Sequence, residues 1–169
     1  MIGDPEPTTG DTTSFEDLIA RRGAPWTFDA AAIVSEFSRV REVGEGTLPT
    51  YSRERSDPVP GGAVLSKSHK IVLLEGNYLL CFGDEPWAPL QGVFDETWYV
   101  ACSSVEEQRE RLIKRHLETW SDEKSRMWGE GWSGAAKKAD ANDMKNAVWV
   151  DAMSREHADM IITSVDQPG

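Results

Sequence analysis

The apolar positions fall into two periods. Ile33, Phe37 and Val40 recur at i, i+4 and i+7 behind Asp29, which predicts a helix with one buried face. Asp29 is a good N-cap, Phe28 and Ile33 form a hydrophobic staple, and Gly44 and Gly46 stop the helix. Ile71–Leu74, four consecutive large apolars between Lys70 and Glu75-Gly76, read as a strand buried on both faces, as in a parallel sheet. Residues 96–101 and 158–163 read as two further strands. Between these two lie helices at about 104–120 and 141–157, the first with capping boxes available at Ser103/Glu106 and Ser104/Glu107. Strands alternating with helices make the class α/β.

Other stretches carry little periodicity. Residues 1–13 are Pro, Gly, Thr and Asp with almost nothing apolar, a disordered lead-in. A short helix is expected from Ser14 to Arg22, with Ser14 as N-cap and Asp17 at N3. Three prolines and two glycines within 47–69 predict a loop with short extended pieces at most. The stretch 121–138, rich in Gly and Ser with exposed-looking Trp, reads as mobile.

Composition narrows the class. The length of 169 residues suits about one domain, and 39% hydrophobic residues with seven Trp argue against disorder. A net charge of −11 argues against nucleic-acid or anionic-membrane partners. No apolar run approaches the roughly 20 residues of a membrane span, and no signal peptide opens the chain. Cys81 and Cys102 read as reduced thiols without a metal-binding spacing. A cytoplasmic protein is the expectation, with its oligomeric state open.

Candidate chemistry sits at element ends. Glu75, a carboxylate directly after a buried strand, suits a metal or phosphate-proximal water, or merely caps a turn. Arg111 and Arg115, at i and i+4, share one helix stripe and present forked donors to phosphate oxygens; surface pairing with Glu107 is the plainer alternative. Arg109 is a weaker member of the set. Asn142 opens a helix with Asp143 and Asn146, as an N-cap or as a base contact. Tyr51, Arg53, Arg55 and Asp57 suit a small polar substrate or a solvated loop. His69, His116 and His157 have no metal-ligand spacing. Trp128 and Trp132 allow a third use, a partner surface on an acidic interaction module.

Seven stretches taken in order resemble the phosphoribulokinase/uridine kinase branch of P-loop kinases. They are GAPWTFD (23–29), LPTYSRERSDPVPGGA (48–63), HKIVLLEGNYLL (69–80), PWAPLQGVFDETWYV (86–100), RERLIKRHLETW (109–120), NDMKNAVWV (142–150) and ADMIITS (158–164). The resemblance implies a three-layer αβα P-loop fold with a parallel sheet, of which about three strands remain after truncation at the N-terminus. It implies ATP-dependent phosphoryl transfer to a hydroxyl of a nucleoside, sugar or related metabolite. Glu75 would lie near Mg²⁺ and the phosphates. Arg109, Arg111, Arg115 and Asn142 would contact ATP, with Arg111 and Arg115 offsetting transition-state charge. Tyr51, Arg53 and Arg55 would line the acceptor site, and residues 104–140 would form a lid within a partial domain 14–169. Gly23 stands where uridine kinases carry an acidic ribose contact, so uridine is not implied as the acceptor. The family's GxxGxGK[ST] loop has no counterpart: before residue 44 the only glycines are Gly3, Gly10 and Gly23, and no Gly-Lys pair occurs. Inactivity of this chain alone follows as an expectation. The alternative is a non-catalytic binding or regulatory relic of the fold.

Overall fold

A computed structural model describes residues 21–52 and 57–165, which divide into two compact units, 29–95 and the pair 21–28 with 96–165. The expected lead-in 1–13 and all but the end of the expected helix 14–22 lie outside the described residues, as do Arg53 and Arg55.

In the unit 29–95, helix α1 (Ala30–Val43) begins where Asp29 accepts a hydrogen bond from Ala32 N at 2.9 Å. It ends where Gly44 turns left-handed at φ 80°, a conformation that costs glycine nothing. Arg41, in its last turn, makes a forked ion pair with Asp95, with Nη1 to Oδ2 at 2.7 Å.

The predicted loop at 47–69 is instead an antiparallel hairpin of β1 (Gly46–Ser52) and β2 (Asp57–Leu65). Two of the three prolines are tolerated for a physical reason. Pairing is regular from Gly46↔Leu65 to Leu48↔Ala63, then shifts before Thr50↔Val59. Pro49, Pro60, Gly61 and Gly62 all fall in that irregularity, where a missing N–H breaks no ladder bond. Gly62 is required there: a Cβ would stand 2.1 Å from Thr50 Oγ1.

The predicted strand at 70–75 does not form. Residues 71–76 have no regular structure, and Ile71 and Leu73 are 80% and 84% exposed. A strand apolar on both faces needs a neighbour on each edge and a layer on each side. The described residues give this segment no ladder partner, since the hairpin strands pair only with each other. The apolar centre of this unit forms just downstream, from Tyr78, Leu79, Cys81, Trp87 and Leu90, with the Tyr78 and Trp87 rings 5.6 Å apart.

The other unit is an α/β crossover. β3 (Trp98–Cys102) pairs in parallel with β4 (Met160–Ser164), in register from Trp98↔Met160 to Cys102↔Ser164. Two of the three expected parallel strands are therefore present, and the third is the unformed 70–75 segment. The connection is helical: α2 (Val105–Glu118), α3 (Asp122–Trp128), α4 (Gly131–Lys138), a π-turn (Ala139–Asp143) and α5 (Met144–Ser154). The stretch expected to be mobile thus folds as α3 and α4.

Ser104 caps α2, accepting from Glu107 N at 3.1 Å. Glu107 reaches back one residue further than a capping box requires, accepting from Ser103 N at 3.2 Å. Ile113, Ala135 and Ala139 are fully buried, with Leu112, Leu117, Trp120 and Ala136 packed around them. Small residues bring α4 close to its neighbours. A Cβ on Gly134 would stand 2.0 Å from the Gly129 carbonyl oxygen and 3.0 Å from Trp120 Cζ2.

Candidate functional site

Helix α2 carries the three arginines singled out in the sequence, and the structure gives each a different setting. Arg111 reaches the carboxyl ends of both parallel strands. Its Nη1 donates to Ser164 Oγ at 2.9 Å and lies 3.8 Å from Cys102 Sγ, and its Nη2 donates to the Ser164 carbonyl at 3.2 Å. Nη2 also meets Glu107 Oε1 at 2.5 Å. Glu107 is held below the usual carboxylate range, first by its bond from Ser103 and further by the charge of Arg111. Arg115, one turn on, is exposed and makes no hydrogen bond or ion pair among the described residues. At 100° per residue the two sit about 40° apart, so one guanidinium is fixed at the strand ends and its neighbour is uncommitted.

Arg109 is engaged elsewhere. Its Nε and Nη2 donate to Asp140 Oδ1 and Oδ2 at 2.6 and 2.8 Å, a bidentate fork. The pairing lowers the Asp140 pKa and raises that of Arg109.

Asn142 is not the N-cap of a helix. It lies inside the π-turn, 4% exposed, and its Oδ1 accepts from Arg21 Nη1 at 2.8 Å while its Nδ2 donates to the Arg22 carbonyl at 3.1 Å. The π-turn continues directly from α4 into α5, so no free helix start exists there for a cap. Asp143 meets His116 of α2, with Nε2 and Oδ2 2.5 Å apart. Ser164 and Asp140 had no sequence signal and Asp143 only that of a helix opening, because each acquires its role through an element far away in the chain.

The remaining predicted residues belong to the unit 29–95. Glu75 follows the unformed strand, is exposed, and makes no hydrogen bond or ion pair among the described residues. Tyr51 is exposed on β1. Trp128 is half-buried at the end of α3 and Trp132 is exposed at the start of α4.

The donors suit anions better than cations. Mg²⁺ takes one or two carboxylates plus phosphate oxygens and waters. Glu75 is a lone carboxylate, and no group of three His, Cys, Asp or Glu among the described residues could hold a metal. Arg115 does fit phosphate oxygens, since its uncommitted guanidinium stands one turn from the strand ends where Ser164 and Glu107 hold Arg111.

Known proteins with similar sequences and folds carry kinase names. The chain is 36% identical over 104 residues to an ATP-dependent kinase-like protein of Aspergillus versicolor, covering 59% of each. It is 30% identical over 142 residues to a candidate uridine kinase of Schizosaccharomyces pombe, covering 80% of this chain and 55% of that protein. A solved structure, a candidate fructose transport system kinase from Silicibacter, superposes with a TM-score of 0.67 at 26% identity, over 86% of this chain and 65% of that one. The chain thus spans between half and two thirds of the length of these relatives. No protein-family profile matches it.

Proposed function

We propose that the chain is a member of the phosphoribulokinase/uridine kinase-like family of P-loop kinases and serves ATP-dependent phosphoryl transfer to a hydroxyl of a nucleoside, sugar or related small metabolite, a reading supported by its kinase-named relatives. The part carried by these residues is the arginine-bearing helix α2. The observation behind the reading is Arg111, anchored through Ser164 at the carboxyl ends of β3 and β4, with Arg115 beside it and uncommitted. Ligands of open α/β sheets bind at that end of the strands. Two guanidiniums there can neutralise charge on a transferring phosphoryl group, a large part of catalysis in this reaction class.

The 169 residues contain no glycine-rich phosphate loop, so positioning of the γ-phosphate lacks its usual backbone cradle. The reading therefore assigns triphosphate contact, but not turnover, to the isolated chain. The acceptor side falls to the hairpin that carries Tyr51, together with Arg53 and Arg55.

Purified 1–169 should show a thermal shift with ATP at millimolar concentration that Arg115→Ala abolishes, without phosphoryl transfer to nucleosides or sugars. Absence of any shift in the wild type overturns triphosphate contact. Steady turnover overturns the assignment of inactivity.

A further inference from the structure

Within the π-turn Ala139–Asp143, three polar side chains each hold a separate target. Asp140 takes Arg109 of α2 in a two-point fork, and Asp143 takes His116 of the same helix. Asn142, buried between them in sequence, takes Arg21 and the Arg22 carbonyl. The turn itself is seated by Ala139, fully buried against Ile113 of α2.

The geometry on α2 gives these contacts a direction. At 100° per residue, Arg109, Ile113 and His116 fall within about 60° of one another, while Arg111 and Arg115 lie on the opposite side of the helix. The π-turn therefore grips one stripe of α2 at two polar points, one on each side of the buried Ile113. Two points seven residues apart restrain a helix against both rolling and sliding, which a single contact cannot do. Single π-turns inside helices are frequent at functional sites.

We infer that the π-turn is a clamp fixing the roll of α2, with Arg109, His116, Asp140 and Asp143 as positioning residues and Arg115, on the opposite side of the helix, meeting phosphate oxygens. This rests on the triphosphate reading above, and it separates Arg109 from the two arginines that share its helix. Arg109 spends its Nε/Nη2 edge on Asp140 and lies on the side of α2 that faces the π-turn. Asn142 belongs to the same device, tying the 21–28 segment to the turn.

The experiment is a calorimetric titration of the full chain with inorganic tripolyphosphate, at a temperature where circular dichroism shows every variant folded. Arg115→Ala should weaken binding about tenfold or more through a lost charged contact. Asp140→Asn and Asp143→Asn should weaken it about three- to tenfold, although neither touches the ligand. Arg109→Asp alone should be weak, and the exchanged pair Arg109→Asp with Asp140→Arg should recover to within about threefold of wild type. If the exchanged pair binds no better than Arg109→Asp, Arg109 contacts the phosphate itself and the clamp is overturned. Amide hydrogen exchange across 108–118 gives a ligand-free reading: faster in Asp140→Asn and Asp143→Asn, unchanged in Arg115→Ala. Failure of the wild type to bind tripolyphosphate overturns the triphosphate reading alone. Unchanged exchange in both aspartate variants overturns the clamp.

Discussion

Arg111 and Ser164 meet where α2 passes the end of β4, the guanidinium donating to both the hydroxyl and the carbonyl of the serine at 2.9 and 3.2 Å. One side chain thereby joins the start of the helical connection to the strand that ends it. Arg111→Ala removes both bonds and should lower stability by about 1–2 kcal/mol, given charge-assisted bonds at a half-buried site. Arg111→Lys keeps the charge but not the fork, and should restore less than half of the loss. Urea denaturation midpoints of the three proteins check this. Equal midpoints would show that the tie is energetically idle.

The tightest packing prediction concerns Gly134. A methyl group there meets the Gly129 carbonyl oxygen at 2.0 Å, a backbone atom that cannot swing aside. Gly134→Ala should cost about 1–3 kcal/mol by overpacking. Gly92→Ala is the control, since a Cβ there has nothing within 4 Å; it should be neutral or slightly stabilising through the unfolded chain. Thermal melts of both variants separate a steric cause from a general intolerance of substitution.

Tyr99 should titrate abnormally. Burial first, and then the hydrogen bond it donates to Asp151 at 3.1 Å, push its phenol up to about 12. A phenol whose folded value exceeds its unfolded value of about 10 adds stability that is fully present below pH 10. That stability drains as the pH rises through the folded value. Absorbance near 295 nm, with Tyr99→Phe as the blank, measures the midpoint. Asp151→Asn should lower it only in part, because burial is the larger cause. A return to the ordinary value in that variant would assign the whole shift to Asp151.

Acid should weaken the crossover unit through Glu107, Asp140 and Asp159. Each is held below the ordinary carboxylate range: Glu107 by its bond from Ser103, Asp140 by Arg109, and Asp159 by bonds from the Thr97 hydroxyl and amide. A depressed folded value means that the contribution is complete above the unfolded value of about 4 and disappears as the pH falls through the folded one. Stability followed from pH 6 to pH 2 should drop fastest below about pH 4, and Asp159→Asn should flatten that fall. An unchanged slope in the variant would remove Asp159 from the account. All three groups lie at the surface, so salt should blunt the effect.

Helix α2 was the most legible element, because its signals are local: Ser104 for the cap, and apolar positions three and four apart. β3 and β4 were found within two residues for the same reason. The hairpin was missed because Pro49, Pro58 and Pro60 read as breakers, and nothing in the sequence marks the register shift that accommodates Pro49 and Pro60 or the position of Pro58 opposite Tyr51. The 70–75 segment failed in the opposite way. Its composition states a preference for burial on both faces, but burial depends on neighbours that a local pattern does not specify. At the site, the stripe shared by Arg111 and Arg115 was readable, and the fate of each was not. Ser164 lies 53 positions from Arg111, and Asp140 lies 31 from Arg109. Asn142 looked like a cap because Asn, Asp and Asn ahead of an apolar run carry that signal, whereas a π-turn has no comparable one.

The latch of Thr97 on Asp159 joins positions 62 apart, and the parallel ladder Trp98↔Met160 starts beside it. Helices α2 to α5 are made of local contacts and can form within microseconds, but the strand pair must wait until that whole loop closes. The order of events in folding is thus written into the crossover: helices first, ladder last. In stopped-flow refolding, β3 amides should gain protection from exchange in the slowest resolved phase, after those of α2. The carboxyl edge that seats Arg111 would then be the last part of the unit to come into being.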